Sequence, residues 1–291
     1  MESTVLLARM TGAIFEAMGC IRAAQLSAPD GEVEIKADAT LVTPTDKQSE
    51  AIFHHHLGAI PGMKFMGEEG TASGDGDDTM LADPLDGTRP FALRLATSVD
   101  IAAVVNTAGR VTHCVIGDPA TGRIWAAAHD VPTYARVIDF PTGVMLSHRT
   151  VRVWDGPLSE QASLFLDASN GFVRSKRQIM TDEQVRNLLV NMARRGRLCM
   201  TGSNGQHFAL IANGGEYAAG LITTAMGGPW DVAGALLVTQ AGGCVRSFKM
   251  LPEGVPVTLA DPLNIMAADI VIAANSPDTA QRLVDLLHAS L

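Results

Sequence analysis

Aromatic residues are scarce in this chain, at 5%, and basic residues are outnumbered 22 to 31 by acidic ones. The resulting net charge of -9 argues against a nucleic-acid partner, because such binders carry a basic patch or stripe. It leaves anionic small substrates open, since bound divalent cations can invert the local field. Cysteine is equally sparse: Cys20, Cys114, Cys199 and Cys244 are scattered without paired spacing. They read as reduced, mostly interior thiols, which argues against a disulfide framework and against zinc. Glu2 stands where a signal peptide would be basic, and Arg9 and Glu16 interrupt the apolar residues. No apolar run approaches the length needed to span a bilayer. The expectation is a cytoplasmic protein with no membrane partner. Low-complexity linkers and internal repeats are missing too. With 47% hydrophobic residues, the 291-residue chain therefore reads as one two-lobed unit with a large core.

What is present is regular patterning. Leu6, Met10, Ile14, Met18 and Ile21 recur at helical spacing and predict an amphipathic helix over 3–25. GEVEIKADATLVTPTD alternates and turns like a β-hairpin with Lys36 near its tip. Thr45 and Gln48 form an expected capping box for a second helix, which Gly58 to Gly62 ends. MKFMGEEG reads as a strand, and after the polar loop TASGDGDD a second strand ends on Asp83. VDIAAVVN, RVTHCVIGD and GRIWAAAHD follow as an antiparallel meander. Prolines and turn residues make 131–160 the least regular zone. Beyond it come a capped helix from Thr181 to about Arg195, the strand RLCMTG and the helix QHFALIAN. Strand EYAAGLIT, helix DVAGALLVTQ, strands GCVRSF and DIVIAAN, and a helix opened by Ser276-Pro277 complete the chain. This alternation predicts stacked sheet and helix layers. An N-terminal α+β lobe is expected over 1–145 and a C-terminal α/β lobe over 146–291.

Three segments share one chemical logic. Gly67-Glu68-Glu69-Gly70 ends one strand, Asp83-Pro84-Leu85-Asp86-Gly87-Thr88 ends the next, and Pro229-Trp230-Asp231 precedes a helix. Carboxylates at strand ends and at a helix N-terminus can point into one cleft, where they repel unless a cation lies between them. Oxygen ligands with no His or Cys nearby favour Mg²⁺ over zinc. Gly87 and Thr88, opening a helix, would offer amide N–H groups to a phosphate. Taken singly, Asp231 is an ordinary first-turn aspartate, Glu68-Glu69 a solvated strand end and Asp-x-x-Asp a turn. Together they are hard to explain as scattered surface acids. His54-His55-His56 within a helix, the DGDD loop and the ARRGR run read as solvated or structural positions.

Glu68, the Asp83–Thr88 run and Trp230-Asp231-Val232-Ala233-Gly234-Ala235 together resemble the inositol monophosphatase family of Mg²⁺-dependent, lithium-sensitive phosphatases. The resemblance extends to LVTPTD, Gly202-Ser203 and TQAGGCV, in family order over nearly the whole chain. It implies an α/β (α+β) fold, a layered α/β/α/β/α sandwich, working as a homodimer on a small-molecule phosphate monoester. It also implies two or three Mg²⁺ ions per site. Glu68, Asp83 and the Leu85 carbonyl would hold the first, and Asp83, Asp86 and Asp231 the second. Thr88 with Glu68 would orient the attacking water, and the Gly87-Thr88 amides would hold the phosphate. Asp46 and Lys36 match a hairpin and supporting group that close over the site, and Gly202 and Ser203 a segment contacting the leaving alcohol. Two departures bear on the substrate. Arg89-Pro90-Phe91 stands where the inositol branch has Thr-Asn-Phe, and AGLITTAMGGP lacks the acid that this branch places before Trp-Asp. Both point away from strict inositol phosphate specificity. A 3′(2′),5′-bisphosphate nucleotidase or histidinol phosphatase is the alternative, with Arg89 meeting a second anionic group. Outside enzymes, the alternative is a non-catalytic member that binds an anionic metabolite.

Overall fold

In the computed structural model of the chain, residues 1–27, 33–36, 40–167, 179–225, 227–252 and 254–291 are described. Helix α1 (Ser3–Leu26) buries the expected stripe, Leu6, Met10, Ile14, Met18 and Ile21. By length and composition alone α1 is long and apolar enough to cross a membrane, contrary to the sequence expectation. Here Leu6, Met10, Ile14 and Met18 of that stripe are core, gathered with Phe53, Val104 and Val115. The ribbon β1 (Glu34–Ile35) and β2 (Leu41–Val42) pairs antiparallel as a hairpin should; residues 31–32 and 37–39 of the expected hairpin lie outside the described residues. Helix α2 (Pro44–Leu57) starts earlier than expected. Its cap is Thr43, reciprocated by Asp46, rather than Thr45 with Gln48. Pro44 explains the shift, since its fixed φ suits the first helical turn and its missing N–H is not needed there.

The first sheet comprises β3 (Met63–Gly67), β4 (Ala72–Ser73), β5 (Asp78–Asp86), β6 (Val99–Val105), β7 (Val111–Asp118), β8 (Arg123–Ala128), β9 (Val131–Asp139) and β10 (Val144–Thr150). Its order is β10-β9-β8-β7-β6-β5-β3-β4, with β3 and β5 parallel and the other pairs antiparallel. The zone judged least regular thus contains two strands that complete the meander, and the expected 145/146 boundary falls inside β10. Short α3 (Thr88–Ala92) follows β5. The second sheet holds β11 (Ser163–Asp167), β12 (Arg197–Cys199), β13 (Ala218–Thr224), β14 (Cys244–Met250), β15 (Pro256–Thr258) and β16 (Ile270–Ala274), ordered β12-β11-β13-β16-β14-β15. Its helices are α4 (Asp182–Ala193), α5 (Asn204–Ala212), α6 (Ala235–Gln240) and α7 (Pro277–His288). DVAGALLVTQ is not one helix: a 3₁₀ turn, Pro229–Val232, precedes α6.

Strand periodicity assigns the layers. Val99, Ile101 and Ala103 of β6 join a core containing Phe208 of α5 and Leu236 of α6, while Ala102 and Val104 join the core under α1. In β16, Val271 and Ala273 face that same central core, whereas Ile270 and Ile272 pack with Leu188 of α4 and Leu283 of α7. Both faces of both sheets are therefore covered, which is why their central strands read as continuous apolar runs. The layers run α1/α2, first sheet, α5/α6, second sheet, α4/α7. This is the expected α/β/α/β/α sandwich. Of the four free cysteines only Cys114 is buried; Cys20, Cys199 and Cys244 are half-buried.

Candidate active site

Residues three apart on a regular strand face opposite ways, so Asp83 and Asp86 should not converge. They do because the ladder slips between them. Asp83 pairs with Ile101 and Asp86 with Val99, so three steps on β5 match two on β6. This extra residue is a β-bulge, and it returns Asp86 to the face of Asp83. That face looks towards the central helix layer. An Asx turn, in which the Leu85 N–H donates to Asp83 Oδ1 at 3.0 Å, shapes the bulge. The Pro84 carbonyl accepts from Ser49 Oγ of α2 at 2.9 Å.

Three other elements deliver the remaining groups. The Glu68 amide donates to the Ala82 carbonyl and so extends the β3–β5 ladder, setting Glu68 beside Asp83. The turn bearing Glu68 is propped from behind by buried Glu50 of α2, which accepts from the Glu69 and Thr71 amides at 2.6 and 2.9 Å. Asp86 Oδ2 accepts from Ser203 Oγ at 2.8 Å and from the Gly205 amide at the start of α5. Asp231 Oδ2, in the 3₁₀ turn, accepts from the amides of Gly227 and Gly228. Backbone and hydroxyl donors thus anchor each aspartate through one oxygen, and Asp83 in addition hydrogen-bonds the Glu68 side chain, carboxyl to carboxyl. Asp83 is 2% exposed and Asp86 8%. Burial, then repulsion from Glu68 and Asp86, holds the Asp83 carboxyl well above the usual range. Burial pushes Asp86 up to about 7, against the Gly205 and Ser203 hydrogen bonds. Asp231 is raised by burial and by Asp86, Glu68 and Asp167.

Among the described residues no lysine or arginine pairs with Asp83, Asp86 or Asp231. Nor, among the described residues, do three acidic, histidine or cysteine side chains stand close enough together to hold a metal ion as they are placed. Crowded, half-anchored carboxylates without a thiol or imidazole among them are a donor set that fits a hard divalent cation. Lys36 reaches the edge of this group, 3.2 Å from Glu68 Oε1 and 2.7 Å from Glu69 Oε1. Burial lowers its pKa, but the two glutamates more than offset this and the ammonium stays charged. Burial pushes Glu69 up to about 7 even against the Lys36 hydrogen bond, because Glu68 and Asp46 also crowd it.

Thr88, expected to orient the attacking water with Glu68, makes its own hydrogen bond to Asp46. Its Oγ1 donates to Asp46 Oδ1 at 3.0 Å, with the Leu85 carbonyl at 3.3 Å. Asp46 is presented by the cap of α2, its other oxygen accepting from the Thr43 N–H and hydroxyl. Burial raises its pKa. Gly87, at φ +94°, occupies the left-handed region that favours glycine, and a Cβ there would meet the Gly202 carbonyl at 3.1 Å. With only five residues in α3, the individual amides of this turn matter more than any helix dipole.

Glu68, Asp86, Gly87, Thr88, Gly202 and Asp231 line one cleft of about 250 Å³. Exposed Arg89 lines it too and has no ion-pair partner among the described residues. Asp167 and Asn204 also line it, and sequence reasoning passed over both. Asp167 ends β11, so the strand-end logic that found Asp83 could have found it. Glu50 gave no signal, since a glutamate in a helix normally reads as solvated.

The inositol monophosphatase family pattern matches residues 4–291. Inositol monophosphatase 1 of Solanum lycopersicum is 31% identical over 263 residues, covering 88% of this chain and 85% of that protein. A histidinol-phosphatase of Streptomyces coelicolor is 32% identical over 110 residues, 36% of this chain and 41% of that one. The solved extragenic suppressor protein suhB from Bartonella henselae shares the fold, with a TM-score of 0.78 at 20% identity over 99% of this chain and 100% of that one. With the pattern spanning almost every residue and the tomato relative aligned over most of both chains, this chain belongs to the inositol monophosphatase family of phosphatases.

Proposed function

We propose that this chain is a Mg²⁺-dependent phosphomonoesterase acting on a small phosphorylated metabolite. The observation that carries the reading is the gathering of Glu68, Asp86 and Asp231 around one cleft, with Asp83 buried among them, beside the Thr88–Asp46 hydrogen bond. Glu68, Asp83 and the Leu85 carbonyl would hold one ion, and Asp83, Asp86 and Asp231 a second. When bound, such ions neutralise the ester's charge, make water more acidic and stabilise the leaving oxygen. The family generally uses Mg²⁺, which agrees with the donor set.

The chain's own groups handle water, proton and phosphate. Because the Thr88 hydroxyl donates to Asp46, its lone pairs are left to accept from a water O–H. Water oxygen attacks phosphorus as the ester P–O bond breaks. A water proton goes to Thr88 Oγ1 while the Thr88 proton goes to Asp46 Oδ1, whose raised pKa suits it as the acceptor. The leaving alkoxide takes a proton from solvent, giving an alcohol and inorganic phosphate. The Gly87 and Thr88 amides hold the phosphate, Gly202 and Ser203 the alcohol side, and Lys36 closes the cleft over Glu68. A cytoplasmic homodimer is the working form that accompanies this reading.

Arg89 favours a substrate with a second anionic group, because its guanidinium stands at the cleft with no ion-pair partner among the described residues. A bisphosphate nucleotidase or histidinol phosphatase is the second reading on that account. Phosphate release from a panel of metabolite phosphates, with and without Mg²⁺, tests both. Asp86→Asn keeps the shape but removes charge, and should slow turnover roughly 10³-fold. Near-normal turnover by Asp86→Asn would refute the two-ion reading. Binding of Mg²⁺ and an ester with no phosphate release by the wild type would identify a non-catalytic binding protein.

A further inference from the structure

Position 207 carries a histidine that touches no part of the cleft. It lies in α5, fully buried, with its ring stacked on Phe165 at 5.0 Å between centroids. Its Nε2 is 3.1 Å from the Thr201 amide nitrogen and 2.9 Å from Thr201 Oγ1. A backbone N–H can only donate, so Nε2 must present its lone pair and the ring proton must sit on Nδ1. Nδ1 is buried and has no hydrogen-bond partner. Buried polar atoms are normally satisfied, so an imidazole that leaves one nitrogen unmet is held for what the other nitrogen does.

What Nε2 holds is the loop that forms one wall of the cleft. Thr201 is braced from the other side by Thr97, whose hydroxyl donates to the Thr201 carbonyl at 3.0 Å. Gly202 follows at φ +79°, where a Cβ would meet the Pro90 ring at 2.7 Å, so the loop sits tightly against the Gly87–Pro90 turn. Ser203 and Gly205 then grip Asp86 Oδ2. A shift of Thr201 is carried directly to both donors.

We propose that His207 is a positioning residue for the Asp86 side of the cleft, acting as a neutral Nδ1–H imidazole whose Nε2 fixes the Thr201–Ser203 loop. The functional consequence rests on the phosphatase reading; the tautomer and the loop anchoring do not. Burial holds the imidazole at about 4, so it stays neutral at any pH where the enzyme would work. Protonation would set an Nε2–H against the Thr201 N–H, donor facing donor, and release the loop.

The test uses the full chain. In protein labelled with ¹⁵N-histidine, His207 should give the Nδ1–H tautomer and show no titration between about pH 5 and pH 8. An Nε2–H tautomer, or titration in that range, overturns the proposal. His207→Phe keeps the aromatic stacking and removes the acceptor, whereas His207→Gln supplies another acceptor. By calorimetry His207→Phe should lose about tenfold in Mg²⁺ affinity, with kcat/KM falling alongside, while His207→Gln stays within about threefold of wild type. Equal losses in both variants, or none in either, would assign the histidine to packing alone. Should His207→Phe fail to fold, the wild-type tautomer and the His207→Gln affinity decide the matter. A wild type that binds Mg²⁺ but releases no phosphate would sink the proposed activity and leave these readouts interpretable.

Discussion

A hydroxyl that donates to a carboxylate behaves differently from one that donates to solvent. Thr88 and Asp46 form such a pair at 3.0 Å, and they should act as one unit. Thr88→Ala and Asp46→Asn are each expected to lower kcat by roughly 10²–10³-fold with Mg²⁺ affinity nearly intact, since neither removes a ligand of the ions. The double variant should be about as slow as either single one, because either change breaks the same proton path. Multiplying losses, or lost Mg²⁺ binding in Thr88→Ala by calorimetry, would give the threonine a different role. At this scale the sequence was informative about residue types and less so about pairings. Asp83, Asp86 and Asp231 stand out by their motifs, whereas the hydrogen bond between Thr88 and Asp46 is not legible there. That pairing depends on where α2 begins, and the two-residue choice between Thr43 and Thr45 as cap turns on Pro44. Asn204 was missed because an asparagine at a helix start normally reads as a cap.

Among elements, the bulge in β5 and the turn after β3 do most to assemble the cleft. Pro and Gly within Asp83–Thr88 signal an irregular strand end, yet the direction of the slip depends on the pairing with β6, a long-range contact. For the turn, the relevant glycine is Gly67. Its φ is unremarkable, but a Cβ there would lie 2.3 Å from Glu50 Oε2. Gly67→Ala must therefore displace the buried carboxylate and free the amides of Glu69 and Thr71. The expected cost is about 1–3 kcal/mol, the penalty for buried groups left without partners, together with weaker Mg²⁺ binding through Glu68. Glu50→Gln should cost less, because its amide oxygen can still accept from one of the two. Denaturant unfolding that leaves Gly67→Ala at wild-type stability would show that Glu50 is not a prop. The long strands of the meander and the capped helix α4 were legible because period and caps agree along their length. Strands β9 and β10 were not. Pro132, Gly143 and the exposure of both faces of β10 give that stretch the composition of a loop. The broken DVAGALLVTQ helix was hidden for another reason, since a Cβ at Gly234 would press on Phe208 at 2.5 Å and only the fold reveals that contact.

For the whole molecule, two sets of buried groups pull stability in opposite directions with pH. Burial, assisted by His129, lowers His113 to about 4, and burial lowers His207 likewise. Between about pH 6.5 and pH 4 the unfolded chain takes up protons at these positions that the folded chain does not, so stability falls as pH falls. The carboxylates act the other way. With Asp86 at about 7 and Asp83 and Asp231 raised, the folded chain without Mg²⁺ keeps protons that the unfolded chain releases above about pH 4. Its stability should therefore also decline as pH rises from about 4 towards 7. Mg²⁺ acts only on the second set, because a carboxylate must lose its proton to become a ligand. Its apparent affinity should climb with pH, by up to about tenfold per pH unit for each proton displaced, with the Asp86 share levelling off above about pH 7. Thermal unfolding should accordingly show a larger rise in Tm on adding Mg²⁺ at pH 8 than at pH 5.5. The acid limb set by the histidines should not respond to the ion. Asp86→Asn should flatten the pH dependence of the Mg²⁺ effect while leaving that acid limb in place. An equal Mg²⁺ effect at both pH values, or a dependence unchanged in Asp86→Asn, would mean that these aspartates are not where the ion binds.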